Sequence, residues 1–116
     1  MHRQYSPHEQ TKLIRVISGR IIDFIVKPDG NNVIYWTEID AFTDWVKIGP
    51  EFAHGFYALE DTVFEYICDG PYDERAEQSF SILEFLKTQL GILDPLLSDK
   101  DRLAPPLVVT PYLHQP

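Results

Sequence analysis

The stretch KLIRVISGRIIDFIVKPDGNNVIYWTEI, residues 12–39, decides the fold, because much of it alternates with period two rather than recurring every three or four residues. Lys12, Ile14 and Val16 fall on one face of a strand and Leu13, Arg15 and Ile17 on the other, before Gly19 and Arg20 turn the chain. A second strand, residues 21–27, is rich in isoleucine and valine. It ends at Pro28, Asp29, Gly30, Asn31 and Asn32, a cluster of turn formers suited to a hairpin. Working outward, residues 33–39 and 45–48 read as further strands, and residues 56–59 and 62–68 as a pair turning around Glu60 and Asp61. Many short strands at regular spacing mean an all-β jelly roll or antiparallel β-barrel.

The pattern changes after Pro71. Phe80, Leu83, Leu86 and Leu90 stand near helical spacing and predict one short helix over residues 79–90, packed on the outside of the sheets. The tail from Asp94 carries Pro95, Pro105, Pro106, Pro111 and Pro116 and is expected to be extended. With 116 residues, 44% hydrophobic and 13% aromatic, the chain can close one sizeable core, so residues 1–116 are expected to form a single domain.

Composition narrows the function. A net charge of −8 disfavours a nucleic-acid surface, which needs a basic stripe to displace counterions, while a small phosphorylated ligand is still allowed because a few local cations suffice. No apolar stretch approaches the roughly 20 residues of a membrane span and no leader pattern precedes a small-residue cleavage site, which makes a soluble cytoplasmic protein the expectation. The single cysteine, Cys68, cannot form an internal disulfide and reads as a small core residue on a strand.

The candidate chemistry lies in two tracts, HRQYSPHEQTKL at residues 2–13 and HGFYALEDTVFEY at residues 54–66. Lys12 shares an alternation face with Ile14 and Val16, so either that face is solvated or the lysine lines a cavity, where its charge could stabilise an oxyanion. His54 sits among Phe52, Phe56 and Tyr57, sheltered as a hydrogen-bonded core residue or a ligand contact. Tyr66 points the same way as Phe64 and Cys68, into the barrel, as a buried hydrogen-bond donor or a general acid. His2, beside the first methionine, reads by itself as a frayed residue.

These tracts resemble the dTDP-4-dehydrorhamnose 3,5-epimerase family. His2, Gln4, Pro7, Gln10, Lys12 and Leu13 match its histidine, glutamine, proline, glutamine and lysine-leucine signature without a gap. GRIIDFIV, with Gly19 and Asp23, is similar to its next strands, IGPEFAHGF to its segment around a second histidine, and LLSDKDRLAPPL at residues 96–107 to its closing run. The resemblance implies a cupin-type jelly roll that needs no cofactor, forms a homodimer and acts on a nucleotide-linked 4-keto-6-deoxyhexose in deoxysugar and polysaccharide biosynthesis.

On that resemblance His2 removes protons beside the ketone, Lys12 stabilises the enolate and Tyr66, matched after a one-residue deletion, returns a proton from the opposite face. Gln4, Gln10 and His54 line the substrate pocket, and Tyr72 and Glu77 help hold the nucleotide. Glu84 is the nearest match by spacing to the family's histidine-orienting aspartate. The family's segment ahead of the histidine, with a diphosphate-contacting arginine and a strand exchanged between subunits, is expected to be lacking here. An impaired member that binds a nucleotide sugar, or only dimerises, is the alternative. A metal-dependent oxygenase is a third reading, against which His2, His8, His54 and His114 provide no His-x-His pair.

Overall fold

Two facing sheets form the body of the protein in a computed structural model that describes residues 1–6 and 8–113. The strands are β1 (His2–Gln4), β2 (Lys12–Ser18), β3 (Arg20–Val26), β4 (Val33–Asp40), β5 (Val46–Ile48), β6 (Ala53–Ala58), β7 (Val63–Cys68), β8 (Glu77–Ser79) and β9 (Thr110–Pro111). The helices are α1 (Leu83–Leu90) and α2 (Asp99–Leu103). One sheet runs in the order β8-β1-β6-β3-β4-β9 and the other β5-β2-β7. Among the described residues these strands pair antiparallel except β4 with β9. The sheets do not close on each other, so of the two expected forms this is the jelly-roll sandwich and not the closed barrel.

The hairpin at residues 27–32 joins β3 to β4 as expected, with Asp29 Oδ1 accepting from the N–H groups of Asn31 and Asn32. Two other turns do something different. β2 and β3 follow one another without pairing, and β6 and β7, read from the sequence as a pair, lie in different sheets. Gly19, at φ 88°, carries the chain from one sheet to the other, where a Cβ would lie 2.4 Å from the Asp61 carbonyl oxygen. Only glycine fits that approach in that conformation.

Alternation along β3 explains the layering. Ile21 and Ile25 face the second sheet and pack with Ile14, Val16, Ile39 and Ile48. Phe24 and Val26 face outward and are covered by Ile82, Phe85 and Leu86 from α1 and the residue before it. Phe85 meets Phe24 edge-on at 6.3 Å and Trp36 at 5.3 Å. β3 is thus buried on both faces, which is why it reads as a nearly continuous apolar run. Asp23 is the exception in that run and is also buried.

The C-terminal third differs from expectation in detail. The predicted helix begins at Leu83, because residues 77–79 are held as β8 beside β1. The tail is extended for much of its course, pairing at Ser81–Pro106 and through β9, but it also contains α2, capped by Ser98, whose hydroxyl accepts from the Asp101 N–H at 3.1 Å. His2 is not frayed: it pairs with His54 on one side and Ser79 on the other. Pro7 of the opening signature, and His114 and Pro116 of the tail, lie outside the described residues. Among the described residues no helix is long and apolar enough to cross a membrane.

Candidate active site

Between the sheets lies a cleft of about 1040 Å³, and eight of the residues singled out in the sequence line it: His2, Gln4, Gln10, Lys12, His54, Tyr66, Tyr72 and Glu77. Strand alternation aims them. His2 on β1 and His54 on β6 are register partners and share the inner face of the larger sheet. Lys12 on β2 and Tyr66 on β7 come from the smaller sheet opposite, on the inward side shared with Ile14 and Cys68. Of the two readings open for Lys12, the cavity is the one observed. Burial is the leading cause that holds its ammonium below the usual lysine range, against the raising influence of Cys68, Glu77 and Asp23.

His54 Nε2–H donates to Asp23 Oδ1 at 2.5 Å, and both side chains are sheltered, 11% and 5% exposed. Tyr66 is not the buried tyrosine expected: it is 60% exposed, at the open side of the cleft, although it points inward as its alternation required. Cys68, expected in the core, is half-buried, lines the cleft and is the register partner of Lys12.

Gln4 and Gln10, expected as ligand contacts, commit their amides to backbone. Gln4 Nε2 donates to the carbonyls of His8 at 2.6 Å and Pro71 at 3.4 Å, and its Oε1 accepts from Asp73 N–H at 2.9 Å. Gln10 Nε2 donates to the Gly70 carbonyl at 2.8 Å. The pair therefore stitches the segment before β2 to the loop after β7 and shapes the wall of the cleft.

The densest chemistry surrounds His2. Its Nδ1 lies 2.6 Å from Glu77 Oε1 and 2.9 Å from Ser79 Oγ, and its Nε2 lies 2.5 Å from Asp101 Oδ1 on α2. Glu77 Oε2 accepts from the Tyr72 hydroxyl and, at 2.6 Å, from Lys100 Nζ, which also donates to the Tyr72 oxygen at 2.9 Å. Burial pushes the Glu77 carboxyl up, but the hydrogen bonds from Lys100 and Tyr72 and the charges of His2 and Lys100 outweigh it and hold it at about 2. Burial also raises the Asp101 carboxyl, and the hydrogen bond from His2 turns the balance downward. Glu77, expected at a nucleotide, lines the cleft with both oxygens in contact with protein groups.

Glu84 does not orient His2. It lies exposed on α1, and Asp101 supplies the carboxylate. The signal that could have found Asp101 is local: Ser98 followed three residues later by an acid marks a helix N-terminus in a tail read as extended. Asp23 had a comparable signal, an acid on the buried face of an apolar strand. Among the described residues no group of three or more His, Cys, Asp or Glu side chains is arranged to hold a metal ion.

A family profile described as dTDP-4-dehydrorhamnose 3,5-epimerase matches residues 1–108. The chain belongs to that family. A dTDP-4-dehydrorhamnose 3,5-epimerase of Sinorhizobium fredii is 30% identical, the match covering 99% of this chain and 63% of the relative. The Bacillus anthracis epimerase, solved with TDP and PPi bound, superposes with a TM-score of 0.79 at 31% identity over 91% of this chain and 65% of that one. The Legionella pneumophila epimerase, in complex with dTDP-4-keto-L-rhamnose, gives 0.72 at 29% identity over 90% and 59%. The chain thus spans less than two thirds of the length of each of these epimerases, and its jelly roll is of the cupin type that family shares.

Proposed function

We propose that this chain acts as an isomerase without a cofactor, epimerising a dTDP-linked 4-keto-6-deoxyhexose at a carbon next to the ketone, in deoxysugar biosynthesis. The observation that carries the reading is the placement of His2 on one sheet and Lys12 and Tyr66 on the sheet facing it, around one cleft. Inverting such a carbon requires its proton to leave from one face and another to return on the opposite face. His2 takes the proton, the electron pair of the broken C–H bond passes to the ketone oxygen, and Lys12 meets the resulting enolate with a sheltered positive charge. Tyr66 returns a proton from the other wall. Asp101 and Glu77 orient the His2 ring and stabilise the imidazolium that proton removal creates.

His54, with Asp23, and Tyr72 line the rest of the sugar and nucleotide site in this reading, and Gln4 and Gln10 hold its wall. Residues 1–116 act as one cupin-like domain, in the cytoplasm where nucleotide sugars are made, and pair as a homodimer. Exposed Ile17, Val63 and Ile67 on the outer face of the smaller sheet are consistent with pairing, which sedimentation would measure.

A second reading, binding without turnover, is favoured by one observation: both ring nitrogens of His2 meet carboxylates, so neither is free. Incubation with dTDP-4-keto-6-deoxyglucose in deuterated water separates the two. Deuterium at C3 or C5 above a protein-free control is expected, and its position distinguishes one epimerised carbon from two. Bound sugar nucleotide without label from folded protein rejects the enzyme in favour of the binding reading.

A further inference from the structure

α2 touches the His2 ring twice, by two routes. Asp101 reaches Nε2 directly, and the preceding residue, Lys100, reaches Nδ1 through Glu77. The second route is built from fixed parts. The Glu77 side chain is 7% exposed, its Oε1 lies against Nδ1 and Ser79 Oγ, and its Oε2 is shared by Lys100 Nζ and the Tyr72 hydroxyl, with the ammonium also 5.4 Å from the centre of the Tyr72 ring. Both ring nitrogens of His2 face carboxylates, and only a ring with one nitrogen free of its proton can accept one from substrate, so what is set against those carboxylates matters to a base in this position.

We propose that Lys100 is a positioning residue for the proton transfer: by offsetting the charge of Glu77 and fixing its orientation on Nδ1, it keeps the His2 ring able to release its second proton and so to serve as the base. This rests on the epimerase reading for its consequence but not for its geometry. Protonated His2 with Glu77, Asp101 and Lys100 forms a neutral set; without Lys100 the same set carries an excess negative charge that retains the proton. Among the described residues, the other charged groups around this cluster and its cleft are Arg3 on β1, Lys12 on β2, the Asp23–His54 pair on β3 and β6, Asp94 in the segment before α2, and the amino group of Met1.

The test follows the His2 ring by 15N NMR as a function of pH in the whole protein without substrate, alongside deuterium incorporation into substrate. Lys100→Met is expected to move the change from doubly to singly protonated ring to higher pH, by about 0.5–1 unit for one charge several ångströms away in a partly hydrated site. The acid limb of the exchange rate should move with it, and Lys100→Arg should restore both. If Lys100 only anchored α2, its loss would free Nε2 from Asp101 and move the change to lower pH, which overturns the proposal, as does no movement.

Glu77→Gln gives an independent arm should the methionine variant not fold. It is expected to move the change to lower pH, and an upward shift or none overturns the proposal. With Glu77→Gln in place, Lys100→Met should move the change by less than it does alone, because the part that runs through the orientation of Glu77 on Nδ1 is gone and only the direct effect of the charge remains; an undiminished shift would mean that Glu77 does not carry the effect, which overturns the proposal. A ring that responds as expected in a protein that incorporates no deuterium leaves this inference standing and removes the epimerase reading. Incorporation with an unresponsive ring does the reverse.

Discussion

His2 and His54 are register partners, each with an Nε2 to carboxylate contact of 2.5 Å, yet the two sites are constructed differently. Asp23 and His54 lie on neighbouring, fully paired strands and are almost sealed. His2 is 28% exposed, and its partners come from the far end of the chain, Glu77 on β8 and Asp101 on a five-residue helix. A pair fixed by two adjacent strands is rigid and adds to stability. A cluster assembled from separated segments can be adjusted, and in the proposed reaction it is the one that changes protonation.

The contrast can be broken most directly with His2→Asn and His54→Asn. Loss of a general base is expected to slow deuterium exchange by about 10²–10⁴-fold in the His2 variant, with a smaller effect at His54. Equal losses would erase the distinction. Lys12→Ala should cost about 10²–10³-fold by removing the charge that meets the enolate, with the circular dichroism of the fold unchanged.

Stability should rank the sites the other way. Asp23→Ala leaves His54 buried without its partner and is expected to destabilise by about 1–3 kcal/mol in urea denaturation. Asp101→Ala, on the more exposed side, should cost less stability while slowing exchange; a larger stability loss at Asp101 than at Asp23 contradicts the comparison. A smaller effect is expected at the helix that carries Asp101, where Ser98→Ala removes a cap worth about 1 kcal/mol and should loosen the His2 side alone in hydrogen exchange.

Acid sharpens the contrast further. The Glu77 carboxyl lies at about 2 in the folded protein against 4.5 ordinarily, so its contribution to stability is full above about 4.5 and is lost as pH falls toward 2. The stability difference between wild type and Glu77→Gln should therefore shrink between pH 6 and pH 3. A constant difference would mean that Glu77 is not held as a carboxylate by its neighbours.

Much of the strand content was legible because alternation is a local property. Residues 12–17 were sorted correctly into two faces and Tyr66 was aimed inward by nothing more than its spacing from Phe64, while whether the face of Lys12 was solvated or lined a cavity took the opposite sheet to decide. The partners of those strands were not legible, since alternation says which way a side chain points but not which strand lies beside it. Hence β6 and β7 read as a hairpin although each pairs in a different sheet. The short strands β1, β8 and β9 were missed because two or three residues carry no measurable period; only pairing makes them strands.

By itself the sequence determined an all-β chain with a helix outside the sheets, an inward-facing tyrosine, a lysine on the same strand face as Ile14 and Val16, and a run of motifs that belong to one epimerase family. Tertiary structure alone decided that the sandwich stays open, that His2 is held in a strand, and that Asp101 and not Glu84 answers its ring. The physical reason is separation: His2 and Asp101 are 99 positions apart in sequence and Glu77 and Lys100 23 apart, so no local spacing encodes contacts that exist only once β8 and α2 have docked.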